Sequence, residues 1–251
     1  MPQETEFSVS ERLNATTRSI TERVVRHSDH ATFIFKRPAS AHPSATQITR
    51  FHYAYEVQKR FDHPGITRVV DLIQRTSQLY IVLEDTGAIS LDRWLLEQPG
   101  GRATPEQFFN MALQIVDAID EIHRQHVVHR DLHPGNILLH PDSLRTQITD
   151  FELSTLLDRE QSSGQIPAML EGSLPYMSPE QTGRMNRSID HRSDFYSLGV
   201  LFFRLLCGRL PFEDESPLAI VHAHIARPPP NASTHCAGIP RALSDIIAKL
   251  L

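Results

Sequence analysis

The chain has 251 residues, 40% apolar and 22% charged, with a formal net charge of −5. That length suits one large domain or two lobes sharing a cleft, and the mild acidity gives no reason to expect nucleic-acid binding. Cys207 and Cys236 make neither a disulfide framework nor a zinc site, the polar N-terminus lacks a signal-peptide core, and the most apolar run, 196–207, contains Arg204 and is too short to span a bilayer, so a reducing, cytoplasmic setting fits.

Residues 1–30 are polar, rich in Thr, Ser, Glu and Arg, and the first glycine is Gly65. Residues 31–35 are β-branched and aromatic, run into Lys36 and read as a strand. Residues 37–47, with Pro38 and Pro43, read as a loop. Residues 50–61 read as a short helix that stops before the turn signal His63-Pro64-Gly65. Two more strands are expected at 67–73 and 79–83, and a short helix carrying Trp94 at 90–96. Thr104-Pro105-Glu106-Gln107 is a helix start: Thr caps, Pro suits the first helical position, and Gln takes the capping-box site. The helix that follows carries Phe108, Met111, Ala112, Ile115, Val116, Ile119 and Ile122 at three-to-four spacing, a stripe for burial. Beyond it come short strands at 137–139 and 147–149, a long polar stretch at 152–174, a buried central helix at 194–207, and helices at 218–226 and 243–251. Strands first and helices after predict an α+β chain of two unequal lobes.

Within the second half stands His129-Arg130-Asp131-Leu132-His133-Pro134-Gly135-Asn136, followed by Asp150-Phe151-Glu152. Moving a γ-phosphoryl group asks for a residue that orients the attacking hydroxyl and for oxygen ligands that hold Mg²⁺ on the triphosphate. Asp131 can accept the hydroxyl proton, and Asn136 and Asp150 offer hard oxygen ligands. The bland alternative is a pair of solvated turns. An Asn five residues after Asp131 and an Asp nineteen after it make chance a poor explanation.

The pattern resembles the catalytic loop and metal-binding triplet of protein kinases, and the similarity runs from about Ala31 to the end. It implies a two-lobed, protein-kinase-like α+β fold with a small β-rich N-lobe and a larger helical C-lobe. On that reading 1–30 is a polar segment entering the N-lobe, 31–85 is the rest of that lobe with the hinge, and 86–251 is a C-lobe incomplete at its C-terminus. Residues 171–187, 192–199 and 221–226 resemble the N-terminal serine/threonine kinase module of large multidomain signalling proteins. There an ATPase-like domain, a GAF domain and a sensor histidine kinase follow, so this chain would be a first module with further signalling domains as partners. The resemblance implies ATP and Mg²⁺ as cofactors and a protein substrate with a Ser or Thr acceptor. It makes Asp131 the base, Asn136 and Asp150 the Mg²⁺ ligands, and Lys36 the holder of the α- and β-phosphates. It sets Leu83 behind the adenine, Glu84 and Asp85 in the hinge, and Ser173 beside the catalytic loop. Ser178-Pro179-Glu180 would end the activation segment, and the helix carboxylate Asp194 would receive hydrogen bonds from the catalytic-loop backbone. Asp131, Asn136 and Asp150 are expected to converge near Lys36. Arg130 suits either a phosphorylated activation segment or a surface carboxylate. His222 and His224, two apart on a helix, face different ways and read as non-ligands.

Four positions depart from that family. No Gly-x-Gly-x-x-Gly precedes Lys36, so the phosphates must be held by something other than close backbone amides. Glu152 replaces a glycine. Ala54 stands where the helix glutamate that pairs with Lys36 belongs, with Glu56 two residues on. His133 stands in place of a lysine near the transferred phosphate and is a weaker clamp. These departures keep open a pseudokinase, a binding module without turnover. A small-molecule phosphotransferase has the weaker case, because Ser178-Pro179-Glu180 and Asp194 do not belong to that class. The C-terminal apolar pattern leaves Glu180 without the Arg partner the resemblance implies and Ile246, Ile247 and Leu250 as a face without cover.

Overall fold

A computed structural model describes residues 6–75, 78–157, 172–185, 187–236 and 238–251. Glu171 and Asn186 of the motif stretches, and most of the polar stretch 152–174, lie outside the described residues. The chain forms two compact units, Met1–Ala88 and Ile89–Leu251.

The first unit is a five-stranded antiparallel sheet of β1 (Phe7–Ala15), β2 (Ser19–Arg26), β3 (Thr32–Pro38), β4 (Val69–Arg75) and β5 (Gln78–Glu84), ordered β1-β2-β3-β5-β4. β1 and β2 occupy the stretch that composition marks only as polar. Their charges pair across strands: Glu22 accepts from Arg12 at 2.9 Å and Arg37 at 3.4 Å. Half-exposed pairs of this kind contribute about 0–1 kcal/mol each. Burying an aromatic or aliphatic side chain contributes about 1.5–3 kcal/mol. The sheet is therefore held mainly by Val24, Phe35 and Val82 on one face, with Phe7, Phe33, Ile73 and Tyr80 around them. The other face presents Ile34, Leu79, Ile81 and Leu83 to helix α1 (Ala45–Gln58) through Phe51 and Ala54.

Helix α1 starts inside the stretch expected to be a loop. The cause is a capping box: Ser44 Oγ accepts from the Gln47 amide at 3.3 Å, and Gln47 Oε1 accepts from the Ser44 amide at 2.8 Å. It ends at Gln58 rather than Phe61, because Arg60 N donates to Val57 O and Phe61 N to Gln58 O in tighter three-residue turns.

In the second unit helix α2 (Leu91–Glu97) buries Trp94. Helix α3 (Pro105–Arg124) begins at the expected Thr104–Gln107 capping box. Its buried stripe is Phe108, Met111, Ala112, Ile115, Ala118, Ile119 and Ile122. Val116 lies off that stripe and is 45% exposed, on a side with Phe109 and Leu113. Helix α4 (His191–Cys207) is buried along most of its length and meets α3 through an edge-to-face Phe108–Phe202 pair at 5.3 Å. Helices α5 (Pro217–Ala226), α6 (Ala232–His235) and α7 (Arg241–Leu250) follow. Two small sheets carry the loops between them: β6 (Ile89–Ser90), β8 (Ile137–Leu139) and β9 (Thr146–Ile148) in one, β7 (Val127–Val128) and β10 (Thr155–Leu156) in the other.

The C-terminal helix is better covered than its pattern suggests. Ile247 is buried, and Leu250 packs on α4 where Gly199 lacks a side chain; a Cβ there would come within 2.8 Å of Leu250 Cβ. Of the three apolar residues only Ile246 is exposed. Among the described residues no helix is long and apolar enough to cross a membrane.

Candidate active site

The loop 129–136 leaves β7 and enters β8 through a 3₁₀ turn at Pro134–Asn136. Its backbone is strained: Arg130, a non-glycine residue, has φ of 68°. A residue in the left-handed region persists only where its surroundings over-determine it. Asp194 provides that constraint. Its buried carboxylate accepts from the His129 and Arg130 amides, each at 2.8 Å, and from His123 Nε2 at 2.8 Å. Gln181 Nε2 donates to Arg130 O at 2.7 Å. The expected burial of Asp194 against His129 and Arg130 is thus observed. His123 and Gln181 escaped sequence reading, because each contacts residues more than fifty positions away or on another helix.

Asp131 is buried and held from two sides. Asn136 Nδ2 donates to Asp131 O at 2.9 Å and to its Oδ2 at 3.4 Å. The Ser173 amide donates to Asp131 Oδ1 at 2.9 Å. This approach needs Gly172, whose φ is 119° and whose absent Cβ would stand 3.3 Å from Asp131 Oδ1. Ser173 therefore reaches Asp131 through its backbone.

His133 Nδ1 accepts from the Gly135 amide at 3.1 Å, so the neutral ring carries its hydrogen on Nε2. That Nε2 lies 4.0 Å from Asp131 Oδ1. Burial holds the imidazole below its ordinary pKa, with the Asp131 and Asp150 carboxylates opposing the shift. The contact is therefore not an ion pair near neutral pH. His133 is a neutral N–H donor rather than the cation a lysine would supply.

Asp150 also sits at positive φ, 71°, with its Oδ1 accepting from the Glu152 amide at 3.2 Å. The Thr149 amide donates to Asn136 O at 3.0 Å, which ties the approach to Asp150 to Asn136. Asn136 turns its amide nitrogen to Asp131, which leaves Oδ1 on the other side of the amide. Asn136 Oδ1 and the Asp150 carboxylate are hard oxygen donors, the set that suits Mg²⁺ beside phosphate and water. Phe151 is buried with its ring edge-to-face on His129 at 5.0 Å.

The segment after Ser173 is pinned to α4. Ser197 Oγ donates to Tyr176 O at 2.8 Å. Ser178 is buried and bonded to Gln181. Glu180, expected to lack a partner, accepts from Ser193 Oγ at 2.5 Å. His222 is exposed, whereas His224 is buried with Nδ1 at 2.6 Å from the Tyr196 hydroxyl.

In the first unit Lys36 is buried, opposite Thr21 of β2 and Ile81 of β5. Its Nζ lies 5.9 Å over the Phe51 ring of α1. Ala54 on that helix packs into the apolar cluster, and Glu56 is exposed. Leu83 is buried in the same cluster as Ile34, two residues before Lys36 on the same face. The Glu84 amide donates to Arg68 O at 3.0 Å. The Asp85 carboxylate is bound by Arg23 at 2.7 Å and by the Gly87 amide at 3.0 Å. The β1–β2 turn is closed by Thr16, whose Oγ1 accepts from the amides of Arg18 at 3.2 Å and Ser19 at 3.0 Å. The amides of Thr16, Arg18 and Ser19 in that turn are thus all bonded within it.

Residues 12–251 match the family model described as protein kinase domain. The chain belongs to the protein kinase family. It is 32% identical over 203 residues to the serine/threonine-protein kinase PrkC of Bacillus subtilis, covering 80% of this chain and 30% of that protein. It is 30% identical to the serine/threonine-protein kinase Pkn1 of Myxococcus xanthus, over 81% of this chain and 29% of that one. It is also 30% identical to the probable serine/threonine-protein kinase PknB of Lactococcus lactis, over 80% and 31%. This kinase domain therefore spans about 30% of the length of those relatives. Its β-sheet unit and helical unit agree with the α+β, two-lobed class expected from sequence.

Proposed function

We propose that this domain is an ATP-dependent protein serine/threonine kinase, acting in the cytoplasm on protein substrates as part of a signalling chain. The domain lines are part of the proposal: 1–30 as the entry to the N-lobe, 31–85 as its remainder with the hinge, 86–251 as the C-lobe. The observation that carries the reading is the Asp131 carboxylate, buried and oriented by Asn136 and the Ser173 amide within a loop anchored on Asp194.

The roles follow from chemistry. Asp131 Oδ2 accepts the proton of the attacking Ser or Thr hydroxyl, a contribution of about 10²–10⁴ in rate. Its Oδ1 is engaged by Ser173 N at 2.9 Å and its Oδ2 by Asn136 Nδ2 at 3.4 Å, so the base reacts at the more loosely held oxygen. His133 donates its Nε2 hydrogen to charge developing on the transferred phosphoryl group. Lys36 neutralises the α- and β-phosphates, and Leu83, Glu84 and Asp85 line the adenine side. Asn136 and Asp150 hold Mg²⁺, which when bound would neutralise charge on the phosphate oxygens.

The pseudokinase reading has its own support. Ala54 gives Lys36 no carboxylate from the helix position where kinases carry one, and Thr16 occupies the turn amides. Transfer of label from γ-labelled ATP to the chain or to general protein substrates separates the two. Transfer that disappears in Asp131→Asn supports the kinase. ATP binding without transfer under any Mg²⁺ concentration supports the pseudokinase, and absence of nucleotide binding defeats both.

A further inference from the structure

The chain has two cysteines, and the fold brings both to one carbonyl. Cys207 is the last residue of α4, and Cys236 follows α6. Cys207 Sγ points at Ala232 O at 3.9 Å, and the Cys236 amide donates to that same oxygen at 3.0 Å. Neither cysteine is in a disulfide. Cationic side chains surround them. Arg102 Nη1 donates to Cys236 Sγ. Burial pushes the Cys207 thiol up to about 11; neighbouring Cys236 adds to that, and Arg102 and Arg209 act against it. A cavity of about 370 Å³ opens on Cys236 and Arg102, walled by Pro99, Phe109, Ile239 and Leu243.

A buried cysteine is usually a small apolar filler. Cys236 differs because a guanidinium is aimed at its sulfur and a cavity large enough for a small oxidant leads to it. Arg N–H groups beside a sulfur are placed to stabilise the oxygen anion that leaves when the sulfur is oxidised. We propose that Cys236 and Cys207 form a redox-sensitive pair, with hydrogen peroxide oxidising Cys236 and Cys207 closing a disulfide onto it.

In the first step Cys236 sulfur, its proton released, attacks one peroxide oxygen. The S–O bond forms, the O–O bond breaks, and hydroxide leaves to become water by taking up a proton. Arg102 N–H groups stabilise that departing charge. In the second step Cys207 sulfur attacks Cys236 sulfur. The S–S bond forms, the S–O bond breaks, and the hydroxyl leaves as water with the Cys207 proton. Two thiols lose two electrons and one peroxide becomes two waters. The product ties the end of α4 to the loop that leads into α7. Nothing in this depends on nucleotide chemistry.

The test is peroxide titration of the chain followed by thiol counting and non-reducing peptide mapping. The expected result is loss of two free thiols per chain, a Cys207–Cys236 cross-linked peptide lighter by two hydrogens, and full recovery on reduction by dithiothreitol. In Cys207→Ser, dimedone should trap a sulfenic acid at Cys236. In Cys236→Ser, the same peroxide dose should leave Cys207 unlabelled, and Arg102→Gln should slow labelling of Cys236. Disulfides found only between chains, first labelling at Cys207, or no thiol loss until the protein is unfolded in urea would each overturn the proposal. The peptide map of the unmutated chain decides even if a variant does not fold.

Discussion

In the second unit one buried carboxylate, Asp194, fixes two backbone amides of the loop 129–136, one of them at strained Arg130, and Asp131 is oriented in turn by Asn136 and Ser173 N. In the first unit Lys36 lies over a phenyl ring, Asp85 is bound by Arg23, and the hairpin turn is closed by Thr16. The loop 129–136 is thus fixed by contacts from distant segments of its own unit, while the sheet and its hairpin turn carry none of the family's glycines and are held by contacts of their own. Hydroxyl activation demands one carboxylate at one place, whereas phosphate charge can be met by any suitably placed cation or amide.

The sharpest way to break that contrast is Asp131→Asn. It keeps the bond of Asn136 to the backbone carbonyl of residue 131 and one of the two side-chain bonds, at nearly the same shape, but removes the base. Phosphoryl transfer should fall by about 10²–10⁴, with ATP affinity by isothermal titration unchanged. A variant that keeps its activity would remove Asp131 from the mechanism.

Asp194→Ala should act on stability as well as rate. It leaves the His129 and Arg130 amides without their acceptor in a dry site, at a cost of about 3–5 kcal/mol. Urea unfolding should show a lowered midpoint, and activity should be lost even where the chain stays folded. An unaltered midpoint would mean that the strained loop is held by something other than Asp194.

A third measurement uses His224. Burial holds its pKa at about 4, with the Leu174 and Pro175 carbonyls opposing the shift, while its Nε2 makes no hydrogen bond of ordinary geometry. The folded chain keeps the ring neutral, and the unfolded chain protonates it first, near pH 6.5. Its contribution is therefore complete above about pH 6.5 and is lost as pH falls towards 4, about 3 kcal/mol in all. His133, also held low, adds in the same direction. Unfolding free energies at pH 7 and pH 4.5 should differ less in His224→Gln than in the unmutated chain. Equal differences would show that His224 does not report on the packing of α5 against α4.

The smallest effect belongs to the hairpin turn. Thr16→Ala removes the acceptor for the Arg18 and Ser19 amides and should cost about 0.5–1.5 kcal/mol by thermal unfolding. A cost near zero would show that those amides are as well served by water, and that the turn is as open as a glycine turn.

Much of this was legible in the residues. The α3 start was readable because Thr104, Pro105 and Gln107 act within one turn, and the 137–139 strand is short and flanked by turn signals. The α1 start was legible too, in Ser44 and Gln47, but Pro38 and Pro43 point to a loop. β1 and β2 were not readable, since β1 is mostly exposed and β2 buries Ser19 and Glu22 beside Val24, with the partners of their charges on neighbouring strands. Val116 shows the limit of helical periodicity: spacing defines a stripe, but the neighbouring helices decide how wide a stripe is covered.

By itself the sequence determined the family and the order of the groups proposed to react, because Asp131, Asn136 and Asp150 lie within short stretches of chain whose spacing can be read locally. Only the tertiary structure decided what holds them. Asp194 with His123, Gln181 with Arg130, Ser193 with Glu180 and Arg23 with Asp85 are contacts between distant segments. The same holds for the meeting of Cys207 and Cys236 at Ala232. Local spacing is written along one chain, whereas the partner of a buried polar group is set by which segments packing brings together, and burial is what makes that partner necessary.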